Sequence, residues 1–441
     1  MAANPVIAIF DIGKTNKKFF LFDEDYNIVY EASTNCIEIK DEDGFPCDDI
    51  ETMTQWIKEN LHEKIKDPGF DIVALNFSTY GASFVHIDED GKPLTPLYNY
   101  LKPFPEELEK KFYGTYGSKE KIAVETASPA LGMLNSGLQL YWLKHTKPAV
   151  FDEIDYSLHM PQYLAYLFHG KPFSDITSIG CHTALWDFEK NAYHFWVGAE
   201  TTDRKLAPLL SPDKVVKIEV NGRQILCGVG LHDSSSAFIP YIQGIKEPFV
   251  LISTGTWCIT MNPFNSSPLT VGELQHDCLC YMTYKGTPVK ASRLFAGYEH
   301  EQETKKMAGH FQVDAKYFVN VKYDPSLISG SSFNSSVGGV FNYENYSTYE
   351  EAYHQLINKL IKQQKHSTDL VLNNGPVKKI FVDGGFARNE IYMNLLAKAY
   401  PDHEVYAASV SQASALGAAL AIHEHWNTKP RPENLIRVKR F

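Results

Sequence analysis

Three observations predict an α/β protein of two domains. The stretch Val6 to Phe22 holds two apolar runs of strand composition, Val6–Phe10 and Phe19–Phe22, separated by Asp11, Gly13, Thr15, Asn16 and two lysines. Pro248 to Met261 repeats the design, with Thr254, Gly255 and Thr256 in the place of Gly13, Lys14 and Thr15. The third observation is size: 441 residues exceed one ordinary core and suit two domains, divided here at 1–244 and 245–441.

Each turn offers a chemistry. A strand that stops at an Asp, turns through Gly and presents hydroxyls, amides and cations can hold a phosphate and its metal. An ordinary charged hairpin turn uses the same residues, so one copy decides little. Two copies in corresponding halves could grip a polyphosphate from both sides, because glycine lets backbone amides approach and threonine adds donors.

Composition narrows the class. Hydrophobic residues make up 44% and charged residues 22%, as in an ordinary globular protein. The apolar runs are strand-sized, and the start MAANPVIAIF lacks a basic n-region and a cleavage site, so neither a membrane span nor a signal peptide is expected. The expected location is the cytoplasm. A net charge of −11 argues against nucleic acid as a partner. The seven cysteines are scattered, without a C-x₂-C pair, and are expected to be reduced and mostly buried.

Between the two turns, Ile50, Met53, Ile57, Leu61 and Ile65 step by three and four, which predicts a helix capped by Asp48 or Asp49. Phe70–Phe77 reads as a strand ending in a small polar turn that contains Tyr80, Gly81 and Ser83, the place where an α/β sheet displays ligand-binding groups. A loop with one short helix at Pro105–Tyr113 follows, then helices at Leu138–Lys144 and Met160–Phe168. Thr177, Ser178 and His182 could line a polar pocket, although a satisfied structural histidine explains His182 as well. Two glycines lead into His232-Asp233, where Asp233 reads first as a helix N-cap. Tyr241–Pro248 reads as the linker.

From Asn262 to Tyr346 the composition turns polar, with an exposed loop expected at Gly330–Gly339. Thr348 and Glu351 have capping-box spacing before a long helix. The strand Lys379–Asp383 then meets Gly384, Gly385 and Asn389 at a helix start, a nucleotide-side turn in form. A small-residue helix at Ser411–Ile422 suits close backbone packing, and the basic tail Lys429–Phe441 reads as a solvated end.

With these residues in view, the chain resembles the FGGY family of carbohydrate kinases, in the actin-like ATPase superfamily, over nearly its whole length. Asp11-x-Gly13-x-Thr15-Asn16-x-Lys18 resembles the family's first phosphate motif, Ser253–Trp257 its second, and Gly384-Gly385 with Asn389 its adenosine motif. The resemblance implies two ribonuclease H-like domains with a nucleotide and sugar cleft between them. The N-terminal domain would carry the sugar site and first phosphate motif, and the C-terminal domain the second phosphate and adenosine motifs.

The same resemblance implies roles. Asp233 would be the general base, and Asp11 would hold Mg²⁺ through water. Gly13, Thr15, Asn16, Lys18, Thr254, Gly255 and Thr256 would contact the ATP phosphates, with Gly384, Gly385 and Asn389 at the adenosine. Tyr80, Gly81, Ser83, His182 and Asp233 would meet the sugar. The turn after Phe77 most resembles that of L-rhamnulose and L-fuculose kinases, yet those usually carry an Asp where this chain has Ser83. Phe386 likewise stands third in the adenosine glycine run. A xylulose, ribulose or polyol kinase is the alternative within the family. A non-catalytic actin-like sugar or nucleotide sensor is the alternative outside it, and a homodimer is left open.

Two other nucleotide folds are excluded. Gly13-Lys14-Thr15 contains a GKT, but a P-loop needs glycine where Ala8 stands. Gly384-Gly385-Phe386 lacks the spacing of a dinucleotide-binding turn.

Overall fold

The structure is a computed structural model and describes residues 4–35, 37–328, 333, 341–372 and 375–441. The loop expected at Gly330–Gly339 lies outside the described residues except for Phe333, as does Cys36.

Two compact units form. The first comprises Met1–Gln243, Cys280–Pro288 and Ser411–Glu433; the second comprises Gly244–Leu279, Val289–Val410 and Asn434–Phe441.

The sheet of the first unit runs, in spatial order, Val215–Val220, Arg223–Gly228, Phe70–Thr79, Asn4–Ile12, Asn16–Asp23 and Ile28–Asn35. Asn4–Ile12 pairs antiparallel with Asn16–Asp23 and parallel with Phe70–Thr79. The predicted hairpin thus forms, closed by the Gly13 N–H donating to the Asn16 carbonyl at 3.0 Å. Alternation along these strands sends Phe10, Phe19 and Phe77 to one face, where Phe10 stacks on Phe19 with ring centroids 4.4 Å apart. The helix Ile50–Lys66 covers that face with the five predicted residues, all buried, and Asp49 caps it by accepting from the Glu51 and Thr52 amides.

The opposite face meets the helix Ala413–Ala421, whose small side chains let it approach closely. A Cβ on Gly417 would fall well inside contact distance of the Ser236 carbonyl. A second core, built on Phe112, Leu138, Tyr141, Trp142 and Trp196, holds the helical region between Phe84 and Leu206. That region carries two consecutive helices, Glu106–Tyr116 and Lys119–Thr126, where the sequence suggested one. Ser118 starts the second by accepting from the Lys121 amide.

The second unit repeats the central pairing. Phe249–Thr254 pairs antiparallel with Cys258–Asn262 and parallel with Lys379–Gly384, and Glu404–Ser409 continues the sheet. The helices Tyr349–Leu372 and Glu390–Ala399 cover this sheet over a core that includes Leu356, Ile380 and Leu396.

Three expectations need correction. Tyr241 belongs to the helix Asp233–Gly244 rather than to a linker, because Phe238, Ile239 and Tyr241 are buried and carry the helix past Pro240. The stretch after Asn262 contains a 16-residue helix, Ala296–Phe311, whose buried face includes Glu303 and Thr304 and so shows little apolar period. The basic tail is not merely a solvated end: Arg437–Arg440 pairs antiparallel with Glu404–Ser409 as an edge strand, and its charges suit an edge that must not pair further.

The six described cysteines are buried. Among the described residues no helix is long and apolar enough to cross a membrane.

The close approach at Gly417 gives a prediction. Gly417→Ala should cost about 3 kcal/mol through overpacking. Gly309→Ala, in a helix position with open space around it, should instead stabilise by about 0.5 kcal/mol. Urea unfolding of both variants checks the contrast.

Candidate active site

Strand register builds the polar centre of the first unit. Asp11 lies opposite Lys18 on one side and Ser78 on the other, and Leu231-His232 pairs parallel with Ser78-Thr79. Three strand ends therefore stand side by side, and the chain leaves the last of them directly into Asp233, the first residue of its helix.

The Asp11 carboxylate accepts from the Ser414 hydroxyl at 2.8 Å, and Lys18 Nζ donates to Gln412 Oε1 at 3.0 Å. Both partners come from the start of the small-residue helix, where Gln412 takes a left-handed conformation at φ 49°. Burial pushes the Asp11 carboxyl up to about 6, with the Asp233 charge adding to the rise and Ser414, Lys18 and Ser78 opposing it. Burial also lifts Asp233 to about 6 against hydrogen bonds from Ser234, while a third of its side chain stays open.

His232 sits beside this carboxylate. Its Nε2 lies 3.3 Å from Asp233 Oδ1, and burial holds the ring neutral by lowering it to about 4. With the proton on Nε2 the ring donates to the carboxylate. The His232 amide donates to Thr177 Oγ1 at 3.0 Å, and that hydroxyl donates in turn to the buried Asp175. Thr177 is thus a buried relay that sets His232, and with it Asp233, rather than a lining residue.

Two of the predicted sugar-side residues, Gly81 and His182, lie near the same histidine. A Cβ on Gly81 would lie 2.8 Å from the His232 ring, so glycine is what lets this turn pass. Ala82 and His182 both sit at positive φ, 61° and 41°, a conformation costly for residues with a Cβ. The His182 ring lies 6.4 Å from that of His232 and 6.5 Å from that of Tyr281. Ser83 is buried at 2% exposure, its carbonyl accepting from the Met160 amide.

Asp48 is a centre that sequence reasoning missed. This buried carboxylate accepts from the Tyr80 hydroxyl and from Lys14 Nζ at 2.9 Å. Tyr100 stands close enough for the Asp233 and Asp48 charges to add to the upward push that burial gives its phenol. The buried Lys17 closes the turn from below, donating to the Gly13 and Lys14 carbonyls at 2.9 and 2.8 Å. Thr15 and Asn16 stand exposed at the tip.

The second unit locks its two turns together. Thr254 Oγ1 donates to the Asp383 carbonyl at 2.6 Å and accepts from the Phe386 amide at 3.0 Å, while the Gly385 amide donates to the Thr254 carbonyl at 2.9 Å. Gly384 has φ 90°, and a Cβ there would strike the Thr254 carbonyl. Gly297, which carries no motif, lies against the Gly255 carbonyl in the same way, and the Tyr298 amide donates to the Thr256 carbonyl. Gly255 and Thr256 remain exposed. Asn389 caps the helix Glu390–Ala399 by accepting from the Tyr392 amide at 3.1 Å. Thr254, Gly255, Gly385 and Asn389 border a cavity of about 700 Å³, with His300, Phe318 and Phe386 among its walls. That volume lies within the range of small-molecule sites.

The donor set fits a hydrated divalent cation. Asp11 and Asp233 are near enough to repel, and the buried Ser78 hydroxyl lies beside Asp11. Mg²⁺ keeps most of its waters and uses one or two carboxylates plus phosphate oxygens. Among the described residues no group of three or more His, Cys, Asp or Glu could hold a metal by itself.

Comparisons with known proteins agree with this arrangement of strands and turns. Residues 6–216 match the family model described as "FGGY family of carbohydrate kinases, N-terminal domain", and residues 246–431 match "Carbohydrate kinase FGGY, C-terminal domain". A rhamnulokinase of Halalkalibacterium halodurans is 27% identical over 182 residues, 40% of this chain and 37% of that one. A rhamnulokinase of Oceanobacillus iheyensis is 26% identical over 233 residues, 50% of this chain and 47% of that one. The chain thus spans less than half the length of these curated relatives in the match. Among solved structures, a carbohydrate kinase from Novosphingobium aromaticivorans superposes with a TM-score of 0.81 at 22% identity, covering 99% of this chain and 94% of that one. A xylulose kinase from Lactobacillus acidophilus gives 0.77 at 16%, covering 99% and 93%. These likenesses give the two-domain actin-like fold, and the two family matches together cover residues 6–216 and 246–431: the chain belongs to the FGGY family of carbohydrate kinases.

Proposed function

We propose that the chain transfers the γ-phosphoryl group of ATP to a hydroxyl of a ketose or deoxyketose. The observation that carries this reading is the strand register that sets Asp233 beside Asp11, Ser78 and His232. Phosphoryl transfer asks a protein mainly to position the reactants and to neutralise charge. Asp233 Oδ takes the proton of the sugar hydroxyl as its oxygen attacks the γ-phosphorus, and ADP leaves. His232 steadies the carboxylate through Nε2–H. A base near 6 is a stronger proton acceptor than an ordinary aspartate and still ionised at neutral pH.

In the first unit Lys18, Thr15 and Asn16 supply donors for the phosphates, and in the second Thr256 does; the Gly13 and Gly255 amides and the Thr254 hydroxyl already donate to the Asn16, Trp257 and Asp383 carbonyls, so these three shape the phosphate turns. Gly384, Gly385 and Asn389 border the adenosine. When bound, Mg²⁺ neutralises phosphate charge, and Asp11 with Ser78 would hold its hydration shell. Tyr80, held by Asp48, and Gly81, Ser83 and His182 shape the sugar side. The rhamnulokinase relatives favour a deoxyketose such as L-rhamnulose or L-fuculose as the first substrates to test.

An ADP-release assay over ketoses, deoxyketoses and polyols should give turnover with at least one deoxyketose; ADP release with none would leave the reading without an acceptor and favour a sensor. The base must be ionised, so kcat/KM should fall as pH drops through about 6, an apparent value shared by the interacting Asp11 and Asp233. A flat profile from pH 5 to 8 would remove Asp233 from the role.

Asp233→Asn should lower turnover by a factor of about 10² to 10⁴ while leaving ATP binding nearly unchanged. The same variant should stabilise the free protein. A carboxyl whose folded pKa is raised gives stability that is present below about 3.8 and lost as pH rises through about 6. The amide should therefore gain on the order of 1 kcal/mol at pH 8, allowing for the open third of the side chain, and nothing at pH 4. Thermal unfolding at the two pH values measures the difference.

A further inference from the structure

Phe386, which stands where the adenosine glycine run would carry a third glycine, stacks on Tyr392 with centroids 4.5 Å apart and meets the His300 ring edge-on at 5.2 Å. Phe318 meets the same ring edge-on at 5.0 Å. His300 is thus clamped between two aromatic rings on the wall of the 700 Å³ cavity.

A chain of hydrogen bonds with one consistent direction reaches this histidine. Asn389 Oδ1 accepts from the Tyr392 amide, so the other end of its side chain is the NH₂ group. Asn389 Nδ2 donates to the Tyr353 hydroxyl at 2.7 Å. Tyr353 is fully buried, and its oxygen lies 2.9 Å from His300 Nε2. A buried hydroxyl that already accepts from Asn389 must place its own proton somewhere or leave it unpaired at a cost of about 1–3 kcal/mol. His300 Nε2 accepts it. The ring is neutral, since burial lowers it to about 4, and a neutral imidazole whose Nε2 accepts carries its proton on Nδ1. Among the described residues no protein group bonds that nitrogen.

We infer that His300 is locked as the Nδ1–H tautomer and donates that N–H to a nitrogen or oxygen acceptor on the nucleoside that occupies the cavity. Asn389 and Tyr353 are positioning residues: they fix the tautomer and do not themselves bond the base. This rests on the proposed reading of the cavity as the adenosine site. It assigns the cavity a specific donor that none of the motifs contains.

Replacement by the two amides separates this role from a structural one. Asn carries its NH₂ where histidine has Nδ1, and Gln carries its amide end where histidine has Nε2. ATP binding to the full chain, measured by calorimetry without sugar, should weaken no more than about threefold in His300→Asn and about tenfold in His300→Gln, the latter equivalent to about 1.4 kcal/mol. Any ranking in which Asn does not bind better than Gln overturns the inference, because a histidine needed only for its bond to Tyr353 is rescued by Gln. Long-range ¹H–¹⁵N correlation on the wild-type protein gives a readout that needs no variant. The His300 Nδ1 should carry the proton, and protonation at Nε2 overturns the inference. Failure of the wild type to bind ATP overturns the adenosine reading together with it, whereas binding with the wrong tautomer or ranking overturns only the role of His300.

Discussion

Two carboxylates share the end of one sheet, and much of the first unit is arranged around that constraint. Asp11 and Asp233 sit on strand ends separated only by the strand that carries Ser78, so each raises the electrostatic cost of ionising the other. In water such a pair would interact weakly; burial strengthens the repulsion and removes the solvent that would relieve it. The surrounding residues answer this cost piecemeal. Ser414 and Lys18 lower it at Asp11, while Ser234 does so at Asp233. None cancels it, which leaves a site that favours cations and protons.

The second unit relies on another constraint, close backbone approach. Gly384 and Gly297 bring backbone against the carbonyls of Thr254 and Gly255 where any side chain would collide. The hydroxyl of Thr254 then ties the glycine pair to the strand beside it. The backbone of Gly255 and Thr256 is fixed by the Trp257 carbonyl and the Tyr298 amide, while both residues remain exposed.

Local pattern carried the parts of this fold that depend on local physics. The helix Ile50–Lys66 was legible down to its five buried residues, since each is apolar and the spacing is regular. The paired hairpins were legible because strand composition and turn residues lie within one short window. Ala296–Phe311 was not, because its buried side includes Glu303 and Thr304. The strand Arg437–Arg440 was not either, since its four residues are exposed and only pairing with a distant partner makes them a strand. The same division holds at the site. Asp11, Gly13 and Thr254 announce themselves by motif, whereas Asp48, Ser414 and His300 acquire their contacts through tertiary register and sit in no recognisable pattern.

The Asp11 to Ser414 hydrogen bond joins positions 403 residues apart. The helix that supplies Ser414 belongs to the first unit, although nearly all of the second unit is threaded between them. On a ribosome, the early strands must therefore wait with one apolar face uncovered until the small-residue helix emerges. Their sheet can close only after almost the whole chain has been translated. This order of synthesis exposes Ile7, Ile9 and Phe20 to chance partners for the longest time, and gives chaperone binding a defined target in the nascent chain.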